Sequence, residues 1–122
     1  MNLETTAAKY IQIWNETNAA ARRDRIAELF AEACTYADPL AAVAGRAGID
    51  ALIASVQTKL PGFTFSVAGK VDAHHDVARF VWHARPASDP NAEPVVVGFD
   101  VMVTDGARIT QIVGFLDKVP TH

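Results

Sequence analysis

The run Val95-Val96-Val97-Gly98-Phe99-Asp100-Val101-Met102-Val103 constrains this chain more than any other segment, because it is apolar at both phases of a two-residue repeat. Val95, Val97, Phe99, Val101 and Val103 fall on one side; Val96, Gly98, Asp100 and Met102 fall on the other. Such a strand needs cover on both faces, and a lone acid inside it is costly unless it is paired or used. Asp38 is a second lone carboxylate, in Tyr36-Ala37-Asp38-Pro39. Pro39 biases Asp38 away from helical geometry and presents it from a strand end or loop. The two acids point to a polar centre inside a small hydrophobic pocket.

The elements around these acids follow from periodicity. Leu3, Ala7, Tyr10, Trp14 and Thr17 recur at helical spacing, and Ile26, Leu29, Phe30 and Ala33 do so again after a break at Thr17-Asn18. Asn18 caps the second helix, whose solvent face carries Arg22, Arg23, Arg25 and Glu28. Gly45 and Gly48 open a third helix with Ile49, Leu52, Ile53, Val56 and Leu60 on one face, ended by Pro61-Gly62. From Phe63 the period becomes two. Strands are expected from Phe63, over Val77 to Arg85, over Val95 to Thr104 and over Arg108 to Leu116, with turns near Ala73 to Asp76 and at Asp105-Gly106. Helices first and antiparallel strands afterwards is the α+β pattern, a curved, mostly antiparallel sheet wrapped around three N-terminal helices.

Composition sets the limits. With 122 residues the chain reads as a single domain, 1–122, able to bury roughly two thirds of the surface its unfolded form exposes. A net charge of −3 without a basic stripe argues against nucleic acid and anionic membranes as partners. No apolar run approaches the length of a bilayer span, and the segment after Met1 does not read as a signal peptide, so the cytoplasm is the expected compartment. Cys34 is the single cysteine and reads as a buried structural thiol. In His74-His75-Asp76 adjacent side chains diverge, so a solvated turn is expected and no metal. The all-apolar side of Val95 to Val103, joined by Phe80, Trp82, Val113 and Phe115, would be a large exposed patch in a monomer. A homodimer through the outer sheet face is therefore expected.

Several short pieces occur together in a telling order. Ala27-Glu28-Leu29-Phe30-Ala31 leads to Tyr36-Ala37-Asp38-Pro39, then Gly45-x-x-Gly48-Ile49, and Gly98-Phe99-Asp100 leads through Asp105-Gly106-x-Arg108-Ile109 to Gly114-Phe115-Leu116-Asp117. In this order the chain resembles, over nearly its whole length, the NTF2-like superfamily, specifically its SnoaL-like polyketide cyclase and ketosteroid isomerase branch. The resemblance implies a cone-shaped cavity between the curved sheet and the helices. In ketosteroid isomerases a carboxylate at the position of Asp38 is the general base, and an acid at the position of Asp100 donates a hydrogen bond to the substrate oxyanion. Their third member, a tyrosine on the first helix, matches Trp14 here, and an indole N–H donates a hydrogen bond without being an acid comparable with a phenol.

With Asp100 facing the cavity, the same matching turns Arg79, Val81, His83 and Arg85 inward and leaves Phe80 and Trp82 outside. Arg79 beside Asp100 then resembles two parts of the Asp-Arg-Asp set with which limonene epoxide hydrolase relatives activate water. The last strand, Arg108 to Leu116, supplies no second acid. Two electrical states are open for Asp100: a cross-strand ion pair with Arg79 would keep it ionised, whereas apolar burial would keep it neutral. The expected chemistry is cofactor-free proton transfer (isomerisation, cyclisation or hydration) on a small hydrophobic carbonyl compound. Asp38, Asp100 and His83 would carry it, while Trp14, Tyr10, Arg79, Val81, Met102, Ile112 and Leu116 contact the ligand. The alternative is a non-catalytic dimeric module for ligand binding or protein association.

Overall fold

A computed structural model describes residues 1–120 of the chain. Helix α1 spans Leu3–Asn15 and α2 spans Ala19–Leu29; strand β1 covers Phe30–Ala37 and the short β2 covers Ala42–Ala44. Helix α3 follows over Gly45–Lys59, and then β3 (Phe63–His74), β4 (Val77–Pro86), β5 (Val96–Thr104) and β6 (Ile109–Lys118). The six strands form one sheet in the order β2-β1-β6-β5-β4-β3. Every pairing is antiparallel except that of β1 with β6. The α+β architecture expected from the sequence is the one observed, with three helices packed against a curved sheet.

Local chemistry explains the helix ends. Asn18 Oδ1 accepts from the Ala21 amide, the cap expected for α2, and Asn2 Oδ1 accepts from the Thr5 amide to cap α1 in the same way. The C-terminus of α2 departs from expectation. Phe30 to Ala33, read as helix from the spacing of apolar residues, is strand. Between Phe30, which faces Ile109, and Thr35, which faces Gln111, β1 carries three more residues than β6. That irregularity puts the buried Phe30 and Cys34 four positions apart, a spacing that imitates a helix. Arg46 fixes the transition by donating twice to the Phe30 carbonyl, at 3.0 and 2.9 Å.

Arg22 also departs from the sequence reading, which put it on the solvent face of α2. It is buried, and its Nε donates to Asp50 of α3 at 2.6 Å while Nη1 donates to Gln57 and to the Glu16 carbonyl. Gln57 in turn donates to the carbonyls of Trp14 and Glu16. The open carbonyls at the end of α1 are thus satisfied by side chains of α2 and α3, which locks the three helices at one corner. A long aliphatic stem carrying a planar fork makes Arg22 suited to this buried junction.

The sheet curls around a core that includes Tyr10, Ile13, Ile26, Phe30, Ile49, Ile53, Phe80, Met102, Ile109 and Ile112. In β5 burial alternates strictly, with Val96, Gly98, Asp100, Met102 and Thr104 turned toward the helices. At the free edge of β3 a side chain covers one residue. Asn15, the last residue of α1, accepts from the Phe65 amide at 2.7 Å and donates to the Phe65 carbonyl at 2.8 Å, so it pairs with β3 as a neighbouring strand would. Among the described residues no helix is long and apolar enough to cross a membrane.

Replacement of Asn15 leaves both Phe65 backbone groups without this partner. Asn15→Ala should destabilise the protein by about 1–3 kcal/mol, read as a lower midpoint of urea unfolding. An unchanged midpoint would mean that water serves this edge equally well.

Candidate functional site

Asp100 lies at the centre of the inner sheet face, 3% exposed. Its cross-strand neighbours are Phe80 on β4 and Gly114 on β6, and the adjoining row is Trp82, Gly98 and Leu116. The two glycines make this arrangement possible. A Cβ on Gly98 would stand 2.1 Å from the Trp82 ring, and one on Gly114 would stand 2.8 Å from Asp100 Oδ1 and 3.4 Å from the Asp38 Cβ. The indole therefore lies flat across β5, and its Nε1 donates to Asp100 Oδ1 at 3.1 Å. Gly114 lets the two acids of distant chain segments meet over one strand.

Asp38 opens the turn that joins β1 to β2. Its Oδ1 accepts from the amides of Leu40 and Ala41 at 2.8 and 2.9 Å, while its Oδ2 accepts from the Tyr36 hydroxyl at 2.6 Å. Asp38 thus builds a turn and also faces inward, and the two roles reinforce each other because the turn hydrogen bonds fix the direction of the carboxylate. Burial, followed by the hydrogen bond to Asp38, pushes the Tyr36 phenol far above its ordinary range, so it stays a donor.

Asp100 is held differently. Burial pushes its carboxyl up to about 7, against the hydrogen bond from Trp82 and the nearby Tyr10 hydroxyl, which pull it down; the charge of Asp38 adds to the rise. Tyr10 lies beneath it, fully buried, with its hydroxyl in no well-aligned hydrogen bond. Desolvation, with Asp100 the next cause, raises the Tyr10 phenol as well.

Both acids open into a cavity of about 310 Å³ between α1, α3 and the sheet. Its walls are almost wholly apolar: Ile11 and Trp14 from α1, Leu52, Val56 and Leu60 from the region of α3, and Tyr36, Phe65, Trp82, Val96 and Leu116 from the sheet. Leu40, 82% exposed, and Val119, 48% exposed, stand at its lining as large apolar side chains in contact with solvent. An apolar chamber with a few convergent polar groups has the form of a small-molecule site.

Of the residues predicted for the site, Asp38, Asp100, Trp14 and Leu116 line this cavity. Tyr10, Met102 and Ile112 are buried core residues outside its lining. Arg79, Val81, His83 and Arg85 require a correction, because they lie on the opposite face of the sheet. Directly opposed residues of an antiparallel pair share a face, and Asp100 is opposed by Phe80, which turns Phe80 and Trp82 inward and the four others outward. A displacement of one residue in register reverses every side chain of a strand. Arg79 pairs with Asp72 at 3.0 Å in solvent rather than with Asp100. His83 Nδ1 lies 3.1 Å from an Arg85 nitrogen, and burial together with that guanidinium lowers its pKa. Tyr36, Phe65 and Trp82 were missed as site residues. Tyr36 was legible in principle, since two residues before Asp38 on an extended segment is the same face.

His74 and His75 sit at the β3–β4 turn, and among the described residues no three His, Cys, Asp or Glu side chains gather as a metal site. Cys34 is buried, and desolvation pushes its thiol up, away from nucleophilic use.

Comparison with known proteins agrees with this architecture. A family model described as the SnoaL-like domain matches residues 7–112. A candidate isomerase of the SnoaL-like family from Agrobacterium tumefaciens has a similar structure at 36% identity, with a TM-score of 0.85, covering 93% of this chain and 95% of that one. A candidate ketosteroid isomerase from Kribbella flavida aligns at 18% identity and TM-score 0.70, over 98% of this chain and 80% of its own. A candidate SnoaL-like polyketide cyclase from Jannaschia aligns at 17% identity and TM-score 0.71, over 96% and 89%. These last two likenesses concern the fold. No curated protein matches the sequence.

The position of Asp100 has a measurable consequence for stability. The folded protein keeps its proton up to about pH 7, whereas the unfolded chain releases it near its ordinary value of 3.8. Between those limits the native state binds the extra proton, so this group's contribution falls as pH rises from about 4 to 7 and is level above. The full span is roughly 4 kcal/mol. Asp100→Asn should be more stable than the parent at pH 8, with the difference shrinking toward pH 4 in denaturant titrations. A variant that is less stable by a constant amount at all pH values would refute the buried neutral acid.

Proposed function

Because the chain belongs to the SnoaL-like domain family, we propose that it binds a small apolar carbonyl compound in the cavity and moves a proton on it without a cofactor. The observation that carries this reading is the pairing of two carboxyl groups in unlike settings over Gly114. Asp38 accepts three hydrogen bonds, all of which an ionised carboxylate can take, and Oδ2 receives only one of them. A second lone pair is left for a substrate C–H. Asp100, protonated below about pH 7, has an O–H to give to the carbonyl oxygen.

Asp38 takes a proton from the carbon next to the carbonyl, the electron pair moves to the oxygen, and Asp100 stabilises the enolate by hydrogen bonding. The proton on Asp38 then returns to another carbon of the conjugated system, which isomerises the compound; where the enolate carbon instead adds to an internal carbonyl and breaks its C=O π bond, a ring closes and the new alkoxide takes the proton from Asp38. Tyr36 holds the base in place and Trp82 holds the acid. The apolar walls exclude water, which strengthens both interactions.

Hydrogen–deuterium exchange into a panel of small enones, followed by NMR, tests the proposal. Exchange should fall by about 10²-fold or more in Asp38→Asn. In the parent it should decline as pH rises through about 7, as Asp100 loses its proton; Asp100→Asn, whose amide still donates, should flatten that decline. Exchange that is absent, or unaffected by Asp38→Asn, would favour a site that binds without turnover.

The outer face of the sheet supports a second part of the reading, self-association. Phe99 is opposed by Val81 on one side and Phe115 on the other, and Val101 by Val113 and by Arg79, whose charge is paired with Asp72. Phe115 is 53% exposed. We propose that a second copy of the chain covers this face, since a two-fold pairing brings the same apolar strip onto itself. The lone buried thiol of Cys34 fits a reducing compartment such as the cytoplasm. Analytical ultracentrifugation at micromolar concentration should give a dimer that Phe115→Asp converts to monomer; a monomeric parent would overturn the claim.

A further inference from the structure

The walls of the cavity carry information about the shape of what fits inside. Four aromatic rings from four different elements follow one another along it: Tyr36 and Trp14 have ring centroids 6.1 Å apart, Trp14 and Phe65 5.7 Å, and Phe65 and Trp82 5.6 Å. This wall is anchored at several points. Trp82 is pressed onto Gly98 and tied to Asp100, Phe65 has its backbone held by Asn15, and Tyr36 is tied to Asp38. Successive rings are tilted by 46°, 44° and 50°, so a flat partner stacks on one face while neighbouring rings meet its edges, and a flexible chain that must be straightened first gains less.

Size narrows the choice. An apolar cavity of about 150 Å³ takes up a single benzene ring. At about 310 Å³ this cavity has space for two fused rings. A four-ring skeleton with its carbonyl at Asp100 would leave its far rings beyond the lining, where they gain little apolar burial.

We infer that the ligand of this cavity is a planar carbonyl compound of two fused rings, packed by face and edge among Tyr36, Trp14, Phe65 and Trp82 with its oxygen at Asp100. The placement of the oxygen rests on the proton-transfer reading; the flatness and ring number rest on the cavity alone. Trp14 and Trp82 are the two tryptophans of the sequence and both line the cavity, so intrinsic fluorescence reports directly on occupancy.

The test is a ligand ladder on the unmodified protein: 2-cyclohexenone, 1-tetralone, the acyclic 2-decanone of equal carbon number to 1-tetralone, and a four-ring enone. 1-Tetralone should quench the tryptophans and bind about tenfold or more tighter than 2-cyclohexenone. It should also bind more tightly than 2-decanone and at least as tightly as the four-ring enone. Tightest binding by the four-ring enone, equal binding by 2-decanone, no gain over the single ring, or no quenching by any of these ketones would each overturn the inference. Exchange measured in the same samples separates the two ideas. Tight 1-tetralone binding without exchange removes the proton-transfer reading and leaves the ring-number inference intact, whereas exchange accompanied by a preference for four rings does the reverse.

Discussion

A carboxyl group enclosed by protein needs neighbours that can either share its charge or let it stay neutral, and Asp100 is provided with the second kind. Its surroundings are a phenylalanine, a tryptophan that gives one hydrogen bond, a buried tyrosine and two glycines, with no cation among its named partners. Desolvation then outweighs the donors and the proton stays on to near neutral pH. The rest of the inner sheet face is arranged to allow this. Gly98 makes room for the indole, Gly114 makes room for the carboxyl group and for Asp38, and the helices close the space above.

Such an arrangement opposes stability, since a residue of similar shape without a charge to suppress would suit the same position at neutral pH. A group kept at a cost to the fold, and aimed into a cavity, is the kind of local conflict that marks sites of use. Asp38 shows the opposite economy. Its carboxylate is satisfied by the turn that it forms, so the same hydrogen bonds that define the β1–β2 connection also orient the side chain. The two acids are thereby held in unlike surroundings by the same inner face of the sheet.

The supporting structure is organised to keep these groups in register. The junction of Arg22, Asp50, Gln57 and the Trp14 and Glu16 carbonyls fixes the end of α1, and Asn15 at that same end covers the β3 edge at Phe65. Trp14 is thus held from both sides, between Tyr36 and Phe65. The aromatic wall and the polar centre share their anchors, so the shape of the cavity and the direction of its two acids are set together.

Local pattern determined the α+β class, the cap at Asn18, the face of α3 and the alternation of β5, because these depend on residues a few positions apart. It also singled out Asp38 and Asp100 as the polar groups of an apolar interior. Register lay beyond it. Whether Phe80 or Arg79 stands opposite Asp100 depends on the pairing of strands distant in sequence, and one residue of displacement exchanges the two faces, which is why Trp82 was placed outside and His83 inside. The irregularity in β1 hid a strand behind a helical spacing for the same reason, since its cause is the pairing with β6. Tertiary structure decided which side chains meet, because only packing between distant segments can choose among the faces that local pattern leaves equivalent.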